Sequence, residues 1–390
     1  MAEIKKVQIY PSASKIHTAY RSLLSDPPEG YVFIQCPESG KQTAVNYLKK
    51  YKLIKNLYHL FLKIFKTTKM IELSSSMKED DSIDLIFSMG HLYKGNKPYV
   101  VDIIDNTYCL SGYNYDIFIN ILDKIEKSIL DKNCRKVICA NESSLKSMKK
   151  YFSKEVLKKT ILIRPAIKTH NFKNKRDKNK IRILFMGSIN NPKDFETKGG
   201  LNAIETFEKI SQKYINLELV VRSKVPEEIR SRIESNSKIN LIEGEISFEE
   251  VINLYAGSDI LLCPAHTYVG LMALLESMSF KLPIVALDTY AARDYIKNGY
   301  NGFLIRKSNK IKGYYNESYP TNIRTKEFLS EIKNVDNKVI DKLVEKVDIL
   351  IKNKRLRIKM GENGRKMIDS KFSIEARNKK LKKIFDEAIK

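Results

Sequence analysis

An apolar strand in this 390-residue chain ends at Leu262, and Pro264-Ala265-His266-Thr267-Tyr268-Val269-Gly270 reads as a turn. A helix then starts near Leu271 and carries Glu276 in its second turn. Backbone N–H groups at a helix start, with the macrodipole behind them, form an anion site, and a diphosphate fits such a site. Glu276 is set back from it, a carboxylate able to accept hydrogen bonds from two ribose hydroxyls, although a single helical glutamate is more often solvated. Arg222 follows the apolar run 217–221, where another strand end should reach the same crevice, and it is a second candidate cation.

Short apolar strands must position these groups. They read at 7–10, 31–36, 84–88, 98–104, 136–140 and 160–163, with helical stretches between several of them. After the polar, basic segment 168–180 the alternation restarts at 181–186 and continues at 217–221, 239–242, 260–262 and 283–286. Apolar strands alternating with helices indicate parallel sheets covered on both faces. The expected architecture is therefore α/β, with two doubly wound, Rossmann-like domains and ligands at the carboxyl ends of the strands. The expected divisions are an N-terminal domain at 1–165, a linker at 166–180, a second domain at 181–370 and a C-terminal helix at 371–390 packing back on the first. Residues 306–335 read as a loop insertion, and the helical end of the chain as broken around Met360-Gly361-Glu362-Asn363-Gly364.

Composition narrows the class. Hydrophobic residues make up 43% and charged residues 30%, as in ordinary globular domains. No apolar run approaches the roughly 18–20 residues of a membrane span, and the N-terminus lacks the apolar core of a signal peptide. The five cysteines (Cys36, Cys109, Cys134, Cys139, Cys263) form no Cys-x-x-Cys pair and read as free thiols of a cytoplasmic protein. The five histidines (His17, His59, His91, His170, His266) lack metal-ligand spacing, and neither an Asp-x-Asp nor a P-loop is present, so no metal or cofactor is expected. The net charge of +24 suits a solvated basic surface or an anionic membrane, and no nucleic-acid motif accompanies it. In the segment 45–66, Ile54, Leu57, Tyr58, Phe61, Ile64 and Phe65 recur at helical spacing beside a lysine stripe. That pattern fits either a surface helix packed on a sheet or an amphipathic helix lying peripherally on the inner membrane face.

Several motifs carry a resemblance. Gly270-Leu-Met-Ala-Leu-Leu-Glu276-Ser-Met-Ser-Phe-Lys-Leu-Pro283-Ile-Val-Ala286 resembles the signature of retaining GT-B glycosyltransferases, of group 1 or family 4, whose donor domain is glycogen-synthase-like. Asp288 with the stretch 298–305, Ile183-Leu-Phe-Met-Gly187, Lys198-Gly199 and Met360-Gly-Glu-Asn-Gly-Arg365 resemble further family motifs in the family's order. The resemblance covers residues 181–390 by motif and the N-terminal half by architecture.

It implies two domains facing across a cleft and transfer of a sugar, with retention and without a metal, from a UDP- or GDP-sugar. The hydroxyl acceptor would be a lipid-linked sugar, a polysaccharide or a glycoprotein glycan. Carried over by position, Lys198 contacts the donor diphosphate, Glu276 holds the ribose, and the backbone at Gly270, Leu271 and Met272 faces the phosphates. His266 lies in the donor turn. Two positions depart from the pattern: Tyr268 stands where the family has a sugar-contacting glutamate, and Ser188 where an arginine often approaches the phosphates. Arg222 or Lys193 would then supply the missing charge. Lys97-Pro98-Tyr-Val-Val-Asp102-Ile-Ile-Asp105 resembles the family strand that ends in His-Asp, so Asp105 or Asp102 would orient or deprotonate the acceptor hydroxyl. A nucleotide-sugar epimerase and a non-catalytic sugar-nucleotide-binding scaffold are the alternatives.

Overall fold

The computed structural model describes residues 3–11, 18–35, 80–104, 106–112, 115–169, 175–267, 271–311 and 326–390. The chain divides into two compact units, one of Met1–Ala166 with Ile374–Lys390, the other of Ile167–Glu317 with Ile323–Ser373.

The first unit runs β1 (Lys5–Tyr10), α1 (Thr18–Ser25), β2 (Tyr31–Gln35), β3 (Leu85–Met89), β4 (Tyr99–Ile103), α2 (Tyr115–Asn120), α3 (Leu122–Leu130), β5 (Cys134–Cys139), α4 (Glu142–Tyr151), α5 (Lys154–Lys159) and β6 (Thr160–Leu162). Its parallel sheet has the order β2-β1-β3-β4-β5-β6. Alternate strand residues serve opposite faces, as the pleat requires. Ile86, Val101 and Val137 pack with Ile125 and Ile129 of α3 and Met148 of α4. Leu85, Phe87, Val100 and Ile138 pack with Tyr20 and Leu23 of α1.

The second unit runs β7 (Ile181–Met186), α6 (Asp194–Thr197), α7 (Gly200–Ser211), β8 (Leu217–Arg222), α8 (Glu227–Glu234), β9 (Ile239–Ile242), α9 (Phe248–Ala256), β10 (Ile260–Cys263), α10 (Leu271–Ser279), β11 (Ile284–Leu287), α11 (Ala292–Tyr295), β12 (Gly302–Ile305), α12 (Lys326–Lys333), α13 (Asn337–Lys352) and α14 (Lys354–Lys371). The last helix, α15 (Ile374–Ile389), returns to the first unit and buries Leu381, Ile384 and Phe385 beside Phe87 and Val100. The second sheet, also parallel, has the order β12-β11-β10-β7-β8-β9. From β7 the chain builds one flank with β8 and β9, then crosses to build the other with β10 to β12. The carboxyl ends of β7 and β10 therefore form the switch point at which doubly wound sheets open a ligand crevice.

The structure differs from the sequence pattern in three places. The glycines at 361 and 364 do not break the last stretch; α14 runs through both. They are packing glycines, because a Cβ on Gly361 would lie 2.0 Å from the Lys281 carbonyl oxygen and one on Gly364 would lie 3.3 Å from Met278. The helix breaks instead at Asn353, whose side chain caps α14 through the Leu356 N–H, and at Phe372. The segment read as a loop insertion contains α12, and β12 is an added sheet-edge strand.

Candidate functional site

β7, β8 and β10 are neighbouring parallel strands, and the described donor-side candidates lie at their carboxyl ends or in the segments that follow them. Lys198 follows α6, the short helix after β7. The next residue, Gly199, holds a left-handed φ of 81°, and a Cβ there would fall 1.9 Å from the Pro264 carbonyl oxygen. Only glycine lets these two backbones approach so closely. The contact is fastened on both sides. The N–H groups of His266 and Thr267 donate to the Thr197 carbonyl at 2.9 and 3.3 Å, and Thr289 Oγ1 donates to the Ala265 carbonyl at 2.8 Å. Burial pushes the Cys263 thiol up to about 11, opposed by the positive charge of Lys198. Behind Lys198, buried Glu196 forms a 3.2 Å ion pair with Lys333 of α12.

Arg222 is the last residue of β8, opposite Met186 of β7, and is only 4% exposed. Its Nε and Nη1 are buried without a hydrogen-bond partner among the described residues. Burial lowers its pKa, yet a guanidinium stays charged at neutral pH. A buried, charged donor fork without acceptors is costly in isolation and suits a site that an anion fills. The backbone around it is locked: Gly187 N–H donates to the Arg222 carbonyl at 2.9 Å, and Lys224 N–H to the Ser188 carbonyl at 2.7 Å. Ser188 thus offers its carbonyl to the neighbouring strand end, and Ser223 Oγ also donates to it at 3.2 Å.

Glu276 lies in the second turn of α10 and is half-buried. Tyr255, fully buried at the end of α9, donates its hydroxyl to Glu276 Oε2 at 2.7 Å, and its ring stacks on Phe280. That bond holds the carboxylate in one orientation. Tyr255 was missed in the sequence, where nothing ties it to a glutamate 21 positions later. His266 is buried, and burial pushes its pKa down to about 4, so the ring is neutral at physiological pH. Met272 sits half-buried in the first turn of α10. Tyr268 and Gly270 lie outside the described residues, as does the side chain of Leu271.

In the first unit, Asp102 shares the sheet face of Val100 and lines a cavity of about 30 Å³ with Tyr20, Arg164 and Arg377. Arg377 is itself held by the Ser22 and Asp26 carbonyls of and after α1. Asp102 is therefore a carboxylate buried beneath α1 and α15. Asp105 lies outside the described residues, as does the whole of 45–66. Among the described residues, no group of three or more His, Cys, Asp or Glu side chains could hold a metal ion, and no helix is long and apolar enough to cross a membrane.

Residues 166–313, which contain this strand-end site, match the family described as glycosyl transferases group 1. The chain is similar over 98% of its length to the Anabaena protein HepE crystallised with UDP and glucose (TM-score 0.59, 10% identity, 100% of that chain). It is similar over 97% of its length to WaaG, a glycosyltransferase involved in lipopolysaccharide biosynthesis (TM-score 0.59, 15% identity, 99% of that chain). The fold is GT-B. An uncharacterised glycosyltransferase of Methanocaldococcus jannaschii, MJ1178, is 24% identical over 257 residues, which is 65% of this chain and 60% of that protein. The chain spans less than two thirds of the length of the curated relatives it matches.

Proposed function

We propose that the chain is a glycosyltransferase that binds a nucleotide-diphosphate sugar at the carboxyl end of its second sheet. It passes the sugar to a hydroxyl acceptor with retention and without a metal. The observation that carries this reading is the buried, unpartnered Arg222 fork at the same strand ends as Lys198 and the start of α10. In the reaction the bond between the sugar and the diphosphate breaks, the acceptor oxygen bonds to the sugar, and the hydroxyl proton leaves to a base. Negative charge develops on the departing diphosphate, where Lys198, Arg222 and the first N–H groups of α10 are fixed donors that need no reorganisation. Glu276, oriented by Tyr255, accepts the ribose hydroxyls. Neutral His266 stands in the donor turn as a hydrogen-bonding group rather than a charge. Tyr268 and Ser188 take the places of a glutamate and an arginine, and Arg222 supplies the missing cation. On the acceptor side, Asp105 orients the hydroxyl of a lipid-linked sugar or glycan, because Asp102 is covered by α1 and α15, and the segment 45–66 meets an anionic membrane on its cytoplasmic face.

The test is a panel of UDP- and GDP-sugars incubated with the protein and candidate acceptors, read by mass spectrometry. Transfer from one donor supports the reading, and it should survive chelation of metals. Consumption of a nucleotide sugar without an acceptor, giving its epimer, would establish epimerase chemistry instead. Nucleotide binding without turnover of any donor would leave a binding protein.

A further inference from the structure

The end of the second sheet away from the donor residues is also built around positive charge. A crevice of about 930 Å³ opens where the chain enters β7, β8 and β10. Its lining includes Arg176, Lys178, Lys180, Lys213, Lys281, Lys354 and Arg357, against only three acidic residues, Asp177, Asp259 and Glu362. Two of those acids are already engaged. Asp177 accepts from the Asn179 N–H, and Asp259 accepts from the Arg182 N–H at 3.0 Å and lies 3.7 Å from the Arg357 guanidinium. Lys213 pairs with Asp348. Lys178, Lys180, Lys281 and Lys354 are exposed and have no ion-pair partner among the described residues.

Two further observations set this crevice apart from a generally basic surface. First, α14 begins at its wall, and the first turn of that 18-residue helix carries Lys354, Arg355 and Arg357 with no acidic residue. Cations there face the positive end of the macrodipole, an arrangement that an anion relieves. Second, the wall is held in place. Arg176 Nη2 donates to the carbonyls of Phe280 and Lys281, both at 3.1 Å. Lys281 holds a left-handed φ of 58°, uncommon for a residue with a side chain. A Cβ at Gly361 of α14 would strike the same Lys281 carbonyl, so the turn and the helix are in close contact.

We infer that this crevice binds a ligand carrying two or more phosphate groups or phosphodiesters, at a site separate from the donor site. Its volume suits a small polar ligand. The lysines supply point charges, and the amino end of α14 supplies N–H donors. The same chemistry is presented by a soluble polyphosphorylated compound and by the headgroups of anionic phospholipids. Ile215, 88% exposed at the rim, is the residue a lipid surface would cover.

Calorimetric titration with inorganic tripolyphosphate tests this on the full chain, with Lys198→Ala/Arg222→Met present throughout to weaken the donor-side anion site. The variant Lys178→Glu/Lys180→Glu/Lys354→Glu should weaken binding at least tenfold. A charge-matched control on α15, Lys379→Glu/Lys380→Glu/Lys383→Glu, should leave it within twofold. Circular dichroism melting checks that both fold. Co-sedimentation with phosphatidylglycerol vesicles, against phosphatidylcholine, separates the sources. Vesicle binding lost in the crevice variant and in Ile215→Ser supports a lipid headgroup, and tripolyphosphate binding without vesicle binding supports a soluble ligand. Equal losses in crevice and control variants, or binding of neither probe, would overturn the proposal.

Discussion

Replacing Arg222 by methionine separates a ligand-binding arginine from a structural one. In the structure its Nε and Nη1 are buried with no acceptor among the described residues. Leaving a buried polar group unsatisfied costs about 1–3 kcal/mol, and more for a charged one. Methionine keeps most of the apolar stem and removes that cost, so after some loss of packing the ligand-free protein should gain about 1 kcal/mol. For a unit of this size that is a rise of about 2–4 °C in melting temperature. The nucleotide diphosphate should respond in the opposite sense. Loss of charge-assisted hydrogen bonds worth about 1.5–3 kcal/mol lowers affinity by roughly 10- to 150-fold. The assay is a thermal melt with and without UDP and GDP, followed by titration calorimetry. A ligand-free melting point several degrees lower, with nucleotide affinity intact, would make Arg222 part of the fold's own support rather than a ligand-binding group.

Other outcomes follow from the same geometry. Gly199→Ala should destabilise the second unit by at least about 1–2 kcal/mol from the left-handed backbone alone, and it should abolish nucleotide binding by driving the Lys198 loop from Pro264; denaturant melts and calorimetry read both effects. Tyr255→Phe removes a buried hydrogen bond to a carboxylate, so stability should fall by about 1.5–3 kcal/mol and UDP affinity several-fold, while pyrophosphate affinity stays unchanged; an equal loss for pyrophosphate would contradict the ribose role of Glu276. His266 should make the fold acid-sensitive. Its folded pKa of about 4 lies below the ordinary 6.5, so the unfolded chain binds the extra proton; its contribution is whole above pH 6.5 and is lost as pH falls towards 4, by about 3 kcal/mol in all. In His266→Asn the loss of unfolding free energy between pH 7.5 and pH 4.5, read from urea melts, should shrink by roughly 2.5 kcal/mol.

Much of this arrangement was legible in the sequence because it rests on local rules. The strands 181–186 and 239–242 were readable to the residue, since apolar runs bounded by polar turns have few other solutions. The helix carrying Glu276 and the position of Arg222 at the end of β8 were legible for the same reason, whereas Lys198 was reached only through the family resemblance. What was not legible depends on contacts distant in sequence. Gly361 and Gly364 look like helix breakers, and only the approach of the Lys281 carbonyl and Met278 explains why α14 continues through them. The Tyr255–Glu276 bond joins two helices, and the pairing of Gly199 with Pro264 spans 65 residues. Burial of Asp102 beneath α1 and α15 required knowing which sheet face the C-terminal helix covers. β12 is four residues long and begins with glycine, too short for its alternation to register.

The central claim is that a nucleotide diphosphate lies at the carboxyl ends of β7, β8 and β10. A crystal soaked with UDP, or with GDP if calorimetry favours it, tests that claim most directly. Diphosphate density should lie within hydrogen-bond distance of Lys198, Arg222 and the first N–H groups of α10, with the ribose hydroxyls on Glu276. Nucleotide density elsewhere on the protein, with Arg222 still lacking an acceptor, would contradict it.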